Sequence, residues 1–62
     1  MAIKKINAEY NPNVGGYVEE FVCDSEDDVA NLPEALTSST AIVASEGSSM
    51  YMVNASGQWV KL

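Results

Sequence analysis

Histidine is absent from this chain of 62 residues, and cysteine occurs once, at Cys23. Without an imidazole there is no Ser-His or Cys-His nucleophile system, and with a single thiol there is no intrachain disulfide. A structural zinc draws three or four ligands from Cys, His and carboxylates, so that source of stability is not expected either. Basic residues are almost as scarce: Lys4, Lys5 and Lys61 stand against nine acidic residues, for a formal charge of −6. That balance repels phosphate backbones and anionic lipid surfaces, so direct contact with nucleic acid or membrane is not expected. No apolar run approaches the roughly 20 residues that span a bilayer, and Met1-Ala2-Ile3-Lys4-Lys5 lacks the apolar stretch of a secretion signal. The expectation is a protein made in the cytoplasm and carrying no membrane anchor. Glycine-rich phosphate loops of the required spacing are missing as well, and Gly15-Gly16 alone reads as a turn, so no cofactor is expected.

What is present is a short, acidic, moderately apolar chain. Its length allows one domain, and a core of that size rarely contributes more than about 3 to 5 kcal/mol of net stability. Small domains commonly draw further stability from disulfides, metals or association, and the first two are not expected here. Association with copies of itself or docking on a larger partner is therefore the favoured source.

The C-terminal third is the most legible. Thr40-Ala41-Ile42-Val43-Ala44-Ser45 is β-branched and apolar, Glu46-Gly47-Ser48-Ser49 is turn-like, and Met50-Tyr51-Met52-Val53 is apolar again. Asn54-Ala55-Ser56-Gly57 then breaks the chain before Gln58-Trp59-Val60-Lys61-Leu62. Asn54-Ala55-Ser56 fits a glycosylation acceptor, but without a secretory route it reads as a hairpin turn. Three short strands in a meander follow from this spacing. Side chains alternate across a strand, so Tyr51 and Val53 share one face and Met50 and Met52 the other, with Trp59 and Val60 likewise opposed. Both faces are apolar, which predicts a strand covered on each side, by the domain on one and by a partner on the other.

Upstream, Gly16 to Cys23 reads as a further strand, and Phe21 and Val22 beside Cys23 mark that thiol as a buried apolar group rather than a reactive one. Ser25-Glu26-Asp27-Asp28 places a cap-type hydroxyl three residues before a carboxylate, with acids in the first turn. One to two helical turns over residues 25–32 are predicted, ended by Pro33, with Val29 and Leu32 packed on the sheet. Glu34 to Ser39 is a connecting loop in which Leu36 can tuck inward. Residues 1–16 form either an edge strand or an arm that orders only against a neighbour, and residues 17–62 form a small β-rich domain. If the termini pair, the three lysines make a basic spot on an acidic body. The expected fold is α+β and mainly β: an antiparallel meander of three to four strands with one short helix. The expected core is Phe21, Val22, Val29, Leu32, Ile42, Tyr51, Val53 and Trp59.

Chemistry is hard to find in this pattern. Asp24, Glu26, Asp27 and Asp28 do not follow the alternating spacing of a calcium loop, and a solvated helix start accounts for them. Glu19 and Glu20 are adjacent on a strand and point to opposite faces, so they cannot flank one glycosidic bond. A pocket of several hundred cubic ångströms is not expected in so small a body, and the protein is read as a non-enzyme. The aromatic and methionine set Tyr17, Phe21, Met50, Tyr51, Met52 and Trp59 exceeds what the core can hide, and such side chains are enriched at interfaces. Met50, Met52, Val60 and Leu62 are the candidate oligomer interface.

Five segments carry a resemblance: Phe21-Val22-Cys23-Asp24-Ser25, Val29-Ala30-Asn31-Leu32-Pro33, Ser39-Thr40-Ala41-Ile42-Val43, Met50-Tyr51-Met52-Val53-Asn54 and Gly57-Gln58-Trp59-Val60-Lys61. In this order, over residues 17–62, they resemble a module of small bacteriophage virion proteins. The resemblance implies a structural or accessory component of a phage head, neck or tail, assembled as a homo-oligomer (a trimer in the expected form) and docked on other virion proteins. It also implies that residues 1–16 attach to the particle. The competing class is a small acidic inhibitor or decoy of a host protein, presenting Glu26, Asp27 and Asp28 as a mimic of nucleic-acid charge. Its difficulty is charge density, since the carboxylates do not repeat along an extended face. A module that binds peptides by edge-strand addition is a third class that no residue favours.

Overall fold

The computed structural model describes residues 3–45 and 47–62. Met1 and Ala2 of the expected N-terminal arm, and Glu46 of the expected turn, lie outside the described residues. Five strands form one sheet in sequence order: β1 (Ile3–Asn11), β2 (Gly16–Cys23), β3 (Thr40–Val43), β4 (Ser49–Val53) and β5 (Trp59–Lys61). A 3-10 helix spans Glu26–Asn31 between β2 and β3. The chain is mainly β with one short helix, as expected, but the sheet has five strands rather than three or four.

In the N-terminal half, one of two open alternatives is met and one expectation is corrected. β1 is an edge strand, antiparallel to β2 over Ile3↔Cys23 to Asn11↔Gly16, with a bulge at Ile6 where the register shifts between Lys5 and Asn7. The meander expectation fails at one step, because β2 and β3 run parallel, Glu20 opposite Thr40 and Cys23 opposite Val43. Residues 24–39 explain this. A parallel neighbour needs a crossover of about a dozen residues or more, and this stretch has the length and the helical turn to return the chain to the level of Glu20 in the middle of β2. β3–β4 and β4–β5 are antiparallel hairpins, as predicted.

The helix start follows its sequence signal. The Asp28 carboxylate accepts the Ser25 backbone N–H at 3.1 Å and the Ser25 hydroxyl at 3.3 Å, while Ser25 O accepts the Asp28 N–H at 3.1 Å. Leu32, already extended at φ −62°, ψ 140°, ends the helix before Pro33. In the β4–β5 turn, Asn54 Oδ1 accepts N–H bonds from Ser56 at 2.9 Å and Gln58 at 3.0 Å, and Gly57 takes φ 82°, a left-handed value that glycine adopts without strain.

Pleating sorts the sheet into two faces. On one lie Phe21, Cys23, Ala41, Val43, Tyr51, Val53 and Trp59, and the crossover covers it. The buried apolar side chains of the described residues, Phe21, Cys23, Ala41, Val43 and Val53, all sit here, joined by the wholly buried Ser39. Phe21 meets Trp59 edge to face at 6.0 Å, and Trp59 Nε1 donates to Pro33 O at 3.1 Å, which pins the crossover to β5. Val29, Leu32, Tyr51 and Trp59 are half-buried at the margin of this core. Leu36, which the sequence allowed to tuck inward, stays 39% exposed yet lies over Gly16, where an added Cβ would come 2.5 Å from its Cδ1.

Candidate functional site

The opposite face of the sheet carries the site. Neighbouring strands place Cα partners on the same face, so two rungs can be read directly from the register. One runs Lys4, Val22, Ile42, Met50, with Leu62 continuing it through its N–H bond to Met50 O at 2.9 Å. The next runs Asn7, Glu20, Thr40, Met52, Val60. Ile42, Met50, Met52, Val60 and Leu62 are 40%, 45%, 36%, 42% and 69% exposed. They form one uncharged patch across β3, β4 and β5.

The four residues singled out from sequence, Met50, Met52, Val60 and Leu62, are thus brought together on one surface. Two expected core residues are not in the core. Ile42 belongs to this patch, and Val22 is half-buried beside it. The reason is parity: Ala41 and Val43 face the crossover, so the residue between them cannot, and Val22 is likewise opposed to Phe21 and Cys23. The alternation was present in the sequence and identifies Ile42 as a member of the patch.

The lysines do not cluster as the pairing of termini would have required. Lys4 and Lys5 lie on β1 and Lys61 on β5, at opposite edges of the sheet. Lys5 Nζ bonds Glu19 Oε2 at 3.1 Å across the β1–β2 pair, and Lys61 Nζ stands 3.7 Å from Glu26 Oε1. Glu20, on the other face from Glu19, accepts a bond from Asn7 Nδ2 at 3.1 Å.

The carboxylates of the helix start are likewise engaged locally. Asp28 serves the Ser25 cap, and Glu26 accepts the Tyr51 hydroxyl at 2.9 and 3.2 Å. Among the described residues no group of three or more His, Cys, Asp or Glu side chains converges as metal ligands would. An open groove of about 470 Å³ runs beside Tyr17, Glu19, Glu34, Leu36 and Gly57, larger than a body of this size was expected to hold. Of its carboxylates, Glu34 is exposed and Glu19 is paired with Lys5.

Cys23 is wholly buried. Burial pushes its thiol pKa up, and the nearby charges of Asp28, Asp24 and Glu26 add to the shift, which disfavours the thiolate, the reactive form of cysteine. Tyr51 is also raised, chiefly by its hydrogen bond to Glu26, then by desolvation and by the Glu26 charge. A folded-state pKa above the unfolded one means that the stabilisation is fully present below the unfolded tyrosine value and is lost as pH rises through the folded value. In an alkaline titration followed by phenolate absorbance, Glu26→Gln is expected to lower the Tyr51 pKa toward the ordinary tyrosine value. Identical titrations of the parent protein and Glu26→Gln would break this link.

A second exposed group was only partly anticipated. β1 and β2 extend beyond β3, so that residues 8–11 and 16–19 pair only with each other in the sheet. At the tip of this hairpin Tyr10 and Tyr17 meet edge to face at 5.6 Å and remain 57% and 60% exposed. Tyr17 was among the surplus aromatics of the sequence, but its pairing with Tyr10 depends on a register that β1 alone did not announce.

No family model matches the chain, and no curated protein and no solved structure matches it.

Proposed function

We propose that this protein is a non-enzymatic structural or accessory component of a bacteriophage particle, acting through self-assembly and docking rather than chemistry. The observation that carries the assembly part is the uncharged, apolar sheet face at Ile42, Met50, Met52, Val60 and Leu62, opposite a face that the chain covers for itself. An exposed patch of this kind, on a domain whose own core is small, is what an interaction surface requires. The phage part rests on the resemblance of residues 17–62 to small virion proteins. In this reading the other virion proteins are the docking partners and the particle is the location.

The inhibitor reading is less well supported. A mimic of nucleic-acid charge needs carboxylates free along one surface, whereas Glu26 is tied to Tyr51 and Asp28 to Ser25.

Mass spectrometry of particles purified from the source culture tests the virion reading. The chain is expected among the particle proteins in multiple copies. Recovery only in the soluble fraction, bound to a host protein, would replace this reading with the inhibitory one.

A further inference from the structure

We infer that the open sheet face is occupied by the same face of a second copy, the two related by a twofold axis that passes close to β4. This rests on the self-assembly reading and specifies its contact.

Four observations point there. The patch, though not the sheet, is centred on β4: Met50 and Met52 lie on that strand, with Ile42 on one side and Val60 and Leu62 on the other. A surface centred on one strand is self-complementary when rotated about that strand, as a twofold contact demands. Charge is the second. Each copy carries −6, so identical copies repel unless the contact itself is uncharged, and β3, β4 and β5 present no charged side chain to this face. Lys4 and Glu20 flank it on the β1–β2 side, as a polar rim would.

Area is the third. At the observed exposures the five side chains leave on the order of 400 Å² open, within the range of functional patches on monomers and about half of what each partner buries in a standard interface. Thr40 on β3 adds to the footprint, and two sheet faces can pack over β3, β4 and β5 at about 10 Å. Three faces around a threefold axis would meet only along their inner margins. The sheet edges are the fourth. β1 bears Lys4, Lys5 and the bulge at Ile6, and β5 is three residues long, features that oppose growth of the sheet edge to edge.

The test uses the full chain, with light scattering over a concentration series and oxidative cross-linking of single added cysteines. Cys23 is wholly buried and does not compete for the cross-link. Met52→Cys is expected to form a covalent dimer readily, and Tyr17→Cys, on the hairpin, is not. The parent chain is expected at twice its monomer mass, and Met52→Asp at monomer mass with its circular dichroism unchanged. A parent oligomer that keeps its mass in Met52→Asp, with Met52→Cys no more cross-linked than Tyr17→Cys, overturns the face assignment and leaves self-assembly standing. A threefold mass overturns the twofold arrangement alone. A parent monomer throughout the series overturns both the contact and self-assembly, while the particle analysis above decides the virion reading independently.

Discussion

Phe21→Ala is expected to leave the chain largely unfolded at room temperature. Phe21 is 4% exposed, sits near the middle of the covered face opposite Ala41, and supports Trp59 through an edge-to-face contact at 6.0 Å. Removing a buried Phe side chain costs about 3 to 5 kcal/mol, because the transfer energy of the ring is lost and the cavity collapses only in part. A single domain of this length commands about the same net stability, so the substitution consumes nearly all of it. The loss also spreads. Trp59 holds the crossover by donating to Pro33 O, and without the Phe21 ring beneath it that anchor loosens, exposing Val43 and Val53. Urea titration followed by circular dichroism measures the effect, at low concentration so that assembly does not mask it. Phe21→Leu, which keeps most of the volume, should retain a cooperative transition. An alanine variant with the parent's midpoint would mean that the covered face is not the stability core.

This core was legible in the sequence wherever alternation and turn residues acted locally. Asn54 to Gly57 fixed the β4–β5 turn, Ser25 with Asp28 fixed the helix start, and the parity of Met50 and Met52 against Tyr51 and Val53 separated the two faces of β4. The same parity rule, applied to Thr40–Val43, sends Ile42 to the open face, so its placement was available but obscured by a strand that is apolar on both sides. Other features were not available. β1 consists of lysines, asparagines and one glutamate among scattered apolar residues, and its order comes from pairing with β2, not from its own composition. Whether β2 and β3 run parallel depends on where residues 24–39 lead the chain, which local propensity does not state. The candidate surface was therefore readable as four residues on one face, with Ile42 available by parity, while its full extent needed the lateral order of the strands, which alone brings Val22 beside them.

That lateral order depends on a small polar group, and Ser39→Ala should reveal it. Ser39 is wholly buried at the entry to β3. Its N–H bonds Leu36 O at 3.0 Å, its carbonyl accepts the Val53 N–H at 2.9 Å, and its hydroxyl accepts the Glu19 N–H at 3.1 Å. β3 pairs with β2 only from Glu20 onward, so at Glu19 the hydroxyl takes the place of the strand partner that β3 no longer provides. Alanine removes that oxygen with almost no change in volume, which separates the lost hydrogen bond from any cavity. A buried amide left without an acceptor costs about 1 to 3 kcal/mol, a large share of a domain as small as this one. Amide hydrogen exchange locates the loss. In Ser39→Ala the Glu19 amide should exchange much faster, whereas the Val53 amide, held by a backbone carbonyl that the substitution keeps, should slow or quicken only with global stability. Equal loss at both amides would show that β3 and β4 part as a unit, and that the parallel junction is held by packing of Ala41 and Val43 rather than by this hydroxyl.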